Sequence, residues 1–280
     1  MDNSGASAPS VPIVDPISEV KISPDLSEDQ RESVDSVLHE FTDVLTGKPG
    51  KTNTIEHDIQ LTTTEPVRRK PYPVPIALRD EFNKEVDRLL ELGVVQPSNS
   101  PYCSPVVMVK KTADSGENSW RLCLDFRALN SITVFDAEPM PTIDENLHKF
   151  TGAKYISEID MCKAYFQIPL TESSRKYTAF ATQHGLMEFT QMPFGLCTAC
   201  ASFVRLMKIV LRDLSNVTCY FDNIYVYSSG WDEHLQALRN VLVRLREHGL
   251  TAGPSKCFIG GAKVVHLGME VGQDEIRPLD

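Results

Sequence analysis

Apolar residues fall along the chain at two spacings, one that suits helices and one that suits strands. Helical spacing comes first in "SEDQRESVDSVLHEFTDVL" (residues 27–45), where Val34, Leu38, Phe41 and Leu45 share a face and Ser27 with Gln30 forms a capping-box pattern. It returns in "ALRDEFNKEVDRLLELG" (77–93), with Phe82, Val86, Leu89 and Leu90 on one side and Gly93 as the stop. Further helices are predicted near residues 198–213 and in "WDEHLQALRNVLVRLREHG" (231–249), whose Leu235, Leu238, Leu242 and Leu245 are in register. A short helix is expected to begin in "PTIDENLHKF" (141–150), with Thr142 and Glu145 as its capping box.

Between these lie strand-like runs. "SPVVMVKK" and "SWRLCLDF" are joined by the polar loop "TADSGEN" as a hairpin, followed by "KYISEID", "LMEFTQM" and the hairpin "TCYFDNIYVYS". The closing "KCFIGGAKVVHLGMEVG" predicts short strands. Helices mixed with antiparallel strands make the fold class α+β. No internal repeat is present.

Residues 1–26, rich in Ser, Pro and Asp without periodicity, read as a flexible lead. Residues 27–60 read as an acidic helix and a turn-rich linker, "TGKPGKTNTIEH". The "GKPGKT" within it is no phosphate-binding loop: Gly50 is the second motif glycine, Leu45 stands where the first is required, and the segment follows a helix instead of a strand.

Composition narrows the class. Hydrophobic residues are 41% and charged residues 24%, the balance of a soluble globular protein. No apolar run nears the roughly 20 residues of a membrane helix, and "MDNSGASAPSVP" lacks the basic start and apolar core of a secretory signal. An intracellular protein, cytoplasmic or nuclear, with no membrane partner is expected. The cysteines (Cys103, Cys123, Cys162, Cys197, Cys200, Cys219 and Cys257) are odd in number and scattered, which predicts reduced thiols, mostly buried. Cys197 and Cys200 form a C-x-x-C, but no second pair completes a zinc site. The net charge of −10 sits mostly at the front: residues 1–60 carry 12 acids and 4 bases, residues 61–280 carry 26 and 24. A nucleic-acid partner is therefore not excluded, because local patches matter more than the sum.

Two carboxylates carry candidate chemistry. Asp160 ends the apolar strand "YISEID", and Asp222 sits at the tip of a hairpin flanked by aromatics, "YFDN". Brought together, they would give hard oxygen ligands on rigid elements, the way a protein holds Mg²⁺ beside substrate phosphates. The residues alone leave a plainer reading open, with Asp222-Asn223 as a tight turn and Asp160 as a helix cap.

The wider run of motifs is more specific. "EPVRRKPYPVP", "SWRLCLDFRALN", "AEPMPTIDENLHKF", "AKYISEIDMCKAYFQIPL", "KYTAFATQHGLMEFTQMPFGLC", "CYFDNIYVYS", "HGLTAGPSKCFIG" and "HLGMEVG" occur in this order. Together they closely resemble the reverse transcriptase of gypsy-type long-terminal-repeat retrotransposons, from about residue 37 to the end. The resemblance implies fingers and palm subdomains of a right-handed polymerase over residues 61–280. It implies an RNA-directed DNA polymerase that takes an RNA or DNA template with primer and deoxynucleoside triphosphates, with Mg²⁺ as cofactor and Mn²⁺ as a substitute. By this resemblance Asp160 and Asp222 are metal-binding, with the Met161 carbonyl as an extra ligand. Lys163 and Ala164 place backbone amides near the triphosphate, and Tyr165 is the gate against a ribose 2′-hydroxyl. Lys110 or Lys111, with Arg121, clamps the β- and γ-phosphates; the loop "TADSGEN" is longer than usual in the family, which leaves the choice of lysine open. Phe194 and Gly195 pack under the nucleotide, and Leu267 and Gly268 form the turn of the primer grip.

Departures from the family pattern set further expectations. Thr198-Ala199-Cys200 replaces the usual Asn-Ala-Pro, with Cys200 at the proline position, which softens the helix start. The family hairpin reads Tyr-x-Asp-Asp; here it is Tyr220-Phe221-Asp222-Asn223. Asn223 thus takes a catalytic aspartate's place, so the hairpin is expected intact and its chemistry weakened. The sequence stops just past the primer-grip motif, ahead of where the family continues into a thumb, a connection and a ribonuclease H domain, which predicts low processivity. Two other readings compete with the enzyme: an inactive nucleic-acid-binding remnant, and an acidic interaction protein acting through residues 27–46. The sequence leaves oligomeric state open.

Overall fold

A central sheet of five strands organises the molecule, in the order β1 (Lys21–Ile22), β10 (Phe258–Gly261), β5 (Tyr155–Asp160), β9 (Asn223–Ser228), β8 (Val217–Tyr220). β1 runs parallel to β10, and every other neighbouring pair is antiparallel. The computed structural model describes residues 16–110, 120–142, 148–266, 269–272 and 275–278.

Strand alternation divides this sheet into two faces. Ser157, Ile159, Ile224 and Val226 are all at most 1% exposed and look toward α5 (Ala199–Val210) and α6 (Trp231–Glu247). Ile156 and Tyr225 point the other way, into a smaller core with Phe150, Val264 and Val271. That second core is roofed by a three-stranded sheet of β11 (Val264–His266), β12 (Met269–Gly272) and β13 (Glu275–Pro278). A third sheet, β2 (Val95–Pro97), β7 (Gly185–Phe189) and β6 (Phe180–Thr182), and the hairpin β3 (Val106–Lys110) with β4 (Trp120–Leu124) form the other lobe. Two single-turn helices, α3 (Arg127–Asn130) and α4 (Glu172–Arg175), sit at connections. The α+β class expected from the pattern is the class observed.

Helix ends follow their sequence signals. The capping box of α1 (Glu28–Glu40) is made on both sides by Ser27 and Gln30. α2 (Arg79–Glu91) stops at Gly93, with φ +67°, whose N–H bonds the Leu90 carbonyl while Val94 bonds that of Leu89. Gly249 ends α6 in the same way.

Three expectations need correction. The helix read over 27–45 ends at Glu40, because Phe41, Val44 and Leu45 turn inward to the core, where the Arg246 guanidinium lies 4.3 Å over the Phe41 ring. Of the flexible lead read over 1–26, residues 16–26 belong to the body: Ile17, Val20 and Leu26 are buried, and β1 adds an edge to the central sheet. Apolar residues spaced too irregularly to read as an element still fill that edge. The linker at 46–57 is a strap packed on the body. Gly50 donates to Thr251 Oγ1 at 2.8 Å, Lys51 to the Gly249 carbonyl and Thr52 to the Gln167 carbonyl. The strap glycine is required by close approach, since a Cβ on Gly50 would stand 2.3 Å from the Gly249 oxygen. Residues 27–60 are thus part of the same body, and two of their acids, Glu40 and Asp43, pair with Arg239 and Arg246 of α6.

The expected helix with Thr142 and Glu145 falls mainly outside the described residues, where Thr142 is the last one before the gap and a 3-10 turn, His148–Phe150, follows it. The strand β6 was not legible, being only three residues long. All seven cysteines are free; Cys103, Cys162 and Cys257 are buried and Cys197 is exposed, against the expectation of burial for most. Among the described residues no helix is long and apolar enough to cross a membrane.

Candidate active site

The site grows from the middle of the central sheet. On β5, alternation places Ile156, Glu158 and Asp160 on the face away from α5 and α6. Register sets Asp160 opposite Asn223, and Tyr220 opposite Asn223 across the β8–β9 hairpin. The turn residues are therefore Phe221 and Asp222, and Asn223 opens a strand. This corrects the Asp222-Asn223 turn considered from sequence: the left-handed backbone falls on Phe221, at φ +49°, a position where glycine is the usual residue. Asp222 is exposed at the tip, and its carbonyl accepts from Met161 N–H at 2.8 Å, fastening the tip to the end of β5. From the far side, Gly253 N–H bonds the Asp160 carbonyl at 2.8 Å.

Charge is concentrated here. Lys256 Nζ lies 3.2 Å from Asp160 Oδ2. Burial raises the Asp160 carboxyl above its ordinary value, Lys256 opposes that shift, and the nearby Asp222 adds to it. Glu158 is raised as well, first by burial, with the hydrogen bond from Tyr225 opposing and Asp160 and Asp222 adding. A third carboxylate therefore feels the field of the other two.

After Asp160 the chain turns through Lys163, left-handed at φ +46°, into the 3-10 turn Ala164–Gln167. Ala164 is buried in that turn, and Gln167 locks it by donating to the Cys162 and Thr251 carbonyls and accepting from Thr251 N–H. The Tyr165 ring meets Phe194 edge-on at 4.9 Å and Phe203 at 5.8 Å. Its hydroxyl shares a 3.0 Å hydrogen bond with Cys200 Sγ, and burial followed by this bond raises the phenol above its ordinary range. Phe194 is 41% exposed, and the next residue, Gly195, takes φ +94° while its carbonyl accepts from Asn130 Nδ2. At the start of α5, Thr198 makes no side-chain cap.

Several of these residues line one cleft of about 220 Å³: Arg121 of β4, Met161, Lys163, Phe194, Asp222 and Lys256. A roomier groove of about 400 Å³ on the other side of the tip, bordered by Met207, Cys219 and Phe221, is lined by no carboxylate. Lys110 lies at the loop end of the β3–β4 hairpin, opposite Trp120, and is absent from the cleft lining. Lys111, Leu267 and Gly268 lie outside the described residues, although β11 and β12 do pair, with His266 opposite Met269. Sequence reasoning passed over Lys256, Glu158, Tyr225 and Gln167. Lys256 lies inside "HGLTAGPSKCFIG", a run noted for its family likeness, but only folding shows the lysine reaching Asp160.

Residues 109–271 match the sequence model of the family described as reverse transcriptase (RNA-dependent DNA polymerase). The chain belongs to the reverse transcriptase family. It is 36% identical over 254 residues to the retrovirus-related Pol polyprotein from transposon opus of Drosophila melanogaster, covering 88% of this chain and 25% of that one. With the Pol polyprotein from transposon 297 of the same organism the identity is 38% over 230 residues, covering 81% and 22%. This reverse transcriptase chain thus spans about a quarter of the length of these relatives. The foamy viral protease-reverse transcriptase in complex with RNA/DNA hybrid shares its fold, with a TM-score of 0.84 at 23% identity, over 94% of this chain and 35% of that one. The central sheet with α5 and α6 is accordingly the palm, and the lobe carrying the β3–β4 hairpin the fingers.

Reverse transcriptases use divalent metal ions, and the palm of this chain fits one. Asp160 already holds a cation, the Lys256 ammonium, and Asn223 Oδ1 is a buried acceptor without a hydrogen-bond partner. Among the described residues, however, no three His, Cys, Asp or Glu side chains converge as a ready metal cage.

Proposed function

We propose that this chain is the polymerising part of an RNA-directed DNA polymerase, adding deoxynucleotides to a primer 3′-end on an RNA or DNA template. The observation that carries the reading is the convergence of Asp160 and Asp222 at one hairpin tip, beside a cleft that Arg121 and Lys163 also line. Nucleotidyl transfer needs that combination, with carboxylates for the cation and fixed positive groups for a triphosphate.

In this reading the primer 3′-oxygen forms a bond to the α-phosphorus, the bond to the β-phosphate oxygen breaks, and pyrophosphate leaves. Mg²⁺, with Mn²⁺ as substitute, supplies activation of the 3′-hydroxyl and charge for the leaving group when held by Asp160, Asp222 and the Met161 carbonyl. Arg121 and Lys110 or Lys111 take the β- and γ-phosphates, and the backbone at Lys163 and Ala164 faces the triphosphate. Tyr165, braced by Phe194 and Phe203, fills the space of a ribose 2′-hydroxyl. Phe194 and Gly195 support the nucleotide, and Leu267 and Gly268 grip the primer. The foamy viral relative's RNA/DNA hybrid supports a duplex partner.

Asn223 sets the level of activity. One negative charge near 4 Å at an effective dielectric of about 20 is worth up to about 4 kcal/mol, and losing about 3 kcal/mol slows the reaction roughly 100-fold. A second reading, an inactive nucleic-acid-binding module, draws its support from this same residue. Primer extension on an RNA template with Mg²⁺ and with Mn²⁺ separates the two. Asn223→Asp is expected to raise the rate about 100-fold. Equal rates in both chains would clear Asn223 as the lesion, and silence in both would favour the binding module.

A further inference from the structure

Two polar residues beside the site have no part in this chemistry. Register pairs Glu158 with Tyr225 just behind the pair of Asp160 and Asn223, so the four side chains share one face of the sheet. Asn223 Nδ2 donates to the Tyr225 hydroxyl at 3.3 Å, and that hydroxyl donates to Glu158 Oε1 at 3.1 Å. The Tyr225 side chain is 1% exposed and its ring packs edge-on against Phe150 at 5.6 Å, which fixes the middle of the chain of bonds.

The direction of this relay follows from proton counting. A tyrosine hydroxyl carries one proton. Given to the Glu158 carboxylate, it leaves an oxygen that can only accept, so the Asn223 amide has to turn its Nδ2 toward Tyr225. Its Oδ1 is then held away from Tyr225, and that oxygen is the buried acceptor with no hydrogen-bond partner. Such an acceptor is costly to bury alone. Opposite Asp160, a cation is the partner that satisfies it.

Building on the polymerase reading, we propose that Tyr225 and Glu158 are positioning residues that lock the Asn223 amide with its oxygen offered to the divalent cation of the site. A neutral ligand then serves where a carboxylate is missing. An amide offers an oxygen at one end only, whereas a carboxylate offers one whichever way it rotates. The relay therefore matters for asparagine and is idle for aspartate.

Mn²⁺ binding to the full chain, followed by the electron paramagnetic resonance signal of the free ion, tests this. Tyr225→Phe removes no charge, and it is expected to weaken Mn²⁺ binding about tenfold in the native background. In the Asn223→Asp background the same change is expected to cost less than about twofold. Glu158→Gln should show an excess loss in the native background only. No effect of Tyr225→Phe on native binding overturns the proposal, and so does an equal loss in both backgrounds, which marks general damage to the fold. Failure of every variant, Asn223→Asp included, to bind Mn²⁺ overturns the metal-dependent reading itself and the relay with it.

Discussion

Acidifying this protein from pH 7 to pH 5 should cost it stability through two buried histidines. His57, on the strap, is 1% exposed and bonded to Ser202 Oγ at 2.7 Å; His234, on α6, is fully buried and bonded to Ser157 Oγ at 2.7 Å. Burial holds each imidazole down at about 4, against an ordinary 6.5. Between those values the unfolded chain binds protons that the folded chain refuses, so stability rises with pH across the window and falls on acidification. With these pKa values, each histidine costs the folded state about 2 kcal/mol at pH 5 and almost nothing at pH 7. Together they account for a loss of about 4 kcal/mol, a large share of the 5–15 kcal/mol typical of a domain. Asp160 and Glu158 work in the opposite sense, because their raised carboxyls favour the folded state as pH falls. The stabilisation from Asp58, whose carboxyl is held low chiefly by Ser174, is lost only below this window. Hence the difference between chains, not the total, is the readout. Urea titrations followed by tryptophan fluorescence at pH 7 and pH 5 would compare the native chain with His57→Gln, His234→Gln and the double variant. Each substitution should shrink the acid-induced loss by about 2 kcal/mol. A double variant with the native pH dependence would refute the reasoning.

Two further outcomes are expected. Gly50→Ala forces a methyl group to 2.3 Å from the Gly249 oxygen, so a destabilisation of about 2 kcal/mol should appear as a lowered thermal midpoint, with the strap lifting from Gly249. Lys256→Met should change stability by less than about 1 kcal/mol, because the lysine is an exposed partner. The same change should move the Asp160 titration further upward, since Lys256 opposes the effect of burial; carboxyl-carbon nuclear magnetic resonance reads that shift.

The elements longest in sequence were the most legible. α2 and α6 each bury a continuous apolar stripe and end at a glycine, and local pattern encodes both facts. Asp160 and Asp222 were likewise readable, because a charged residue ending an apolar strand or standing in a turn announces itself. What stayed hidden depends on partners far along the chain. Lys256 matters through Asp160, 96 residues away, and Gln167 through Thr251, 84 away. Nothing local in the sequence says that the Tyr225 hydroxyl reaches Glu158. The place of Asn223 turned on one residue of register: the sequence permitted a turn at Asp222-Asn223, and the observed turn puts the left-handed strain on Phe221 instead.

The edge strand β1 carries a consequence for how the protein is made. Lys21 pairs with Phe258 and Ile22 with Ile259, so β1 finds its place only after β10 has emerged from the ribosome. Closing a loop that long is slow compared with forming helices and hairpins. Until it happens, Ile17, Val20 and Leu26 have no core to enter. Between the emergence of β1 and that of β10 the nascent chain carries an exposed apolar segment, a natural docking point for a chaperone and the stage at which aggregation competes most strongly with folding.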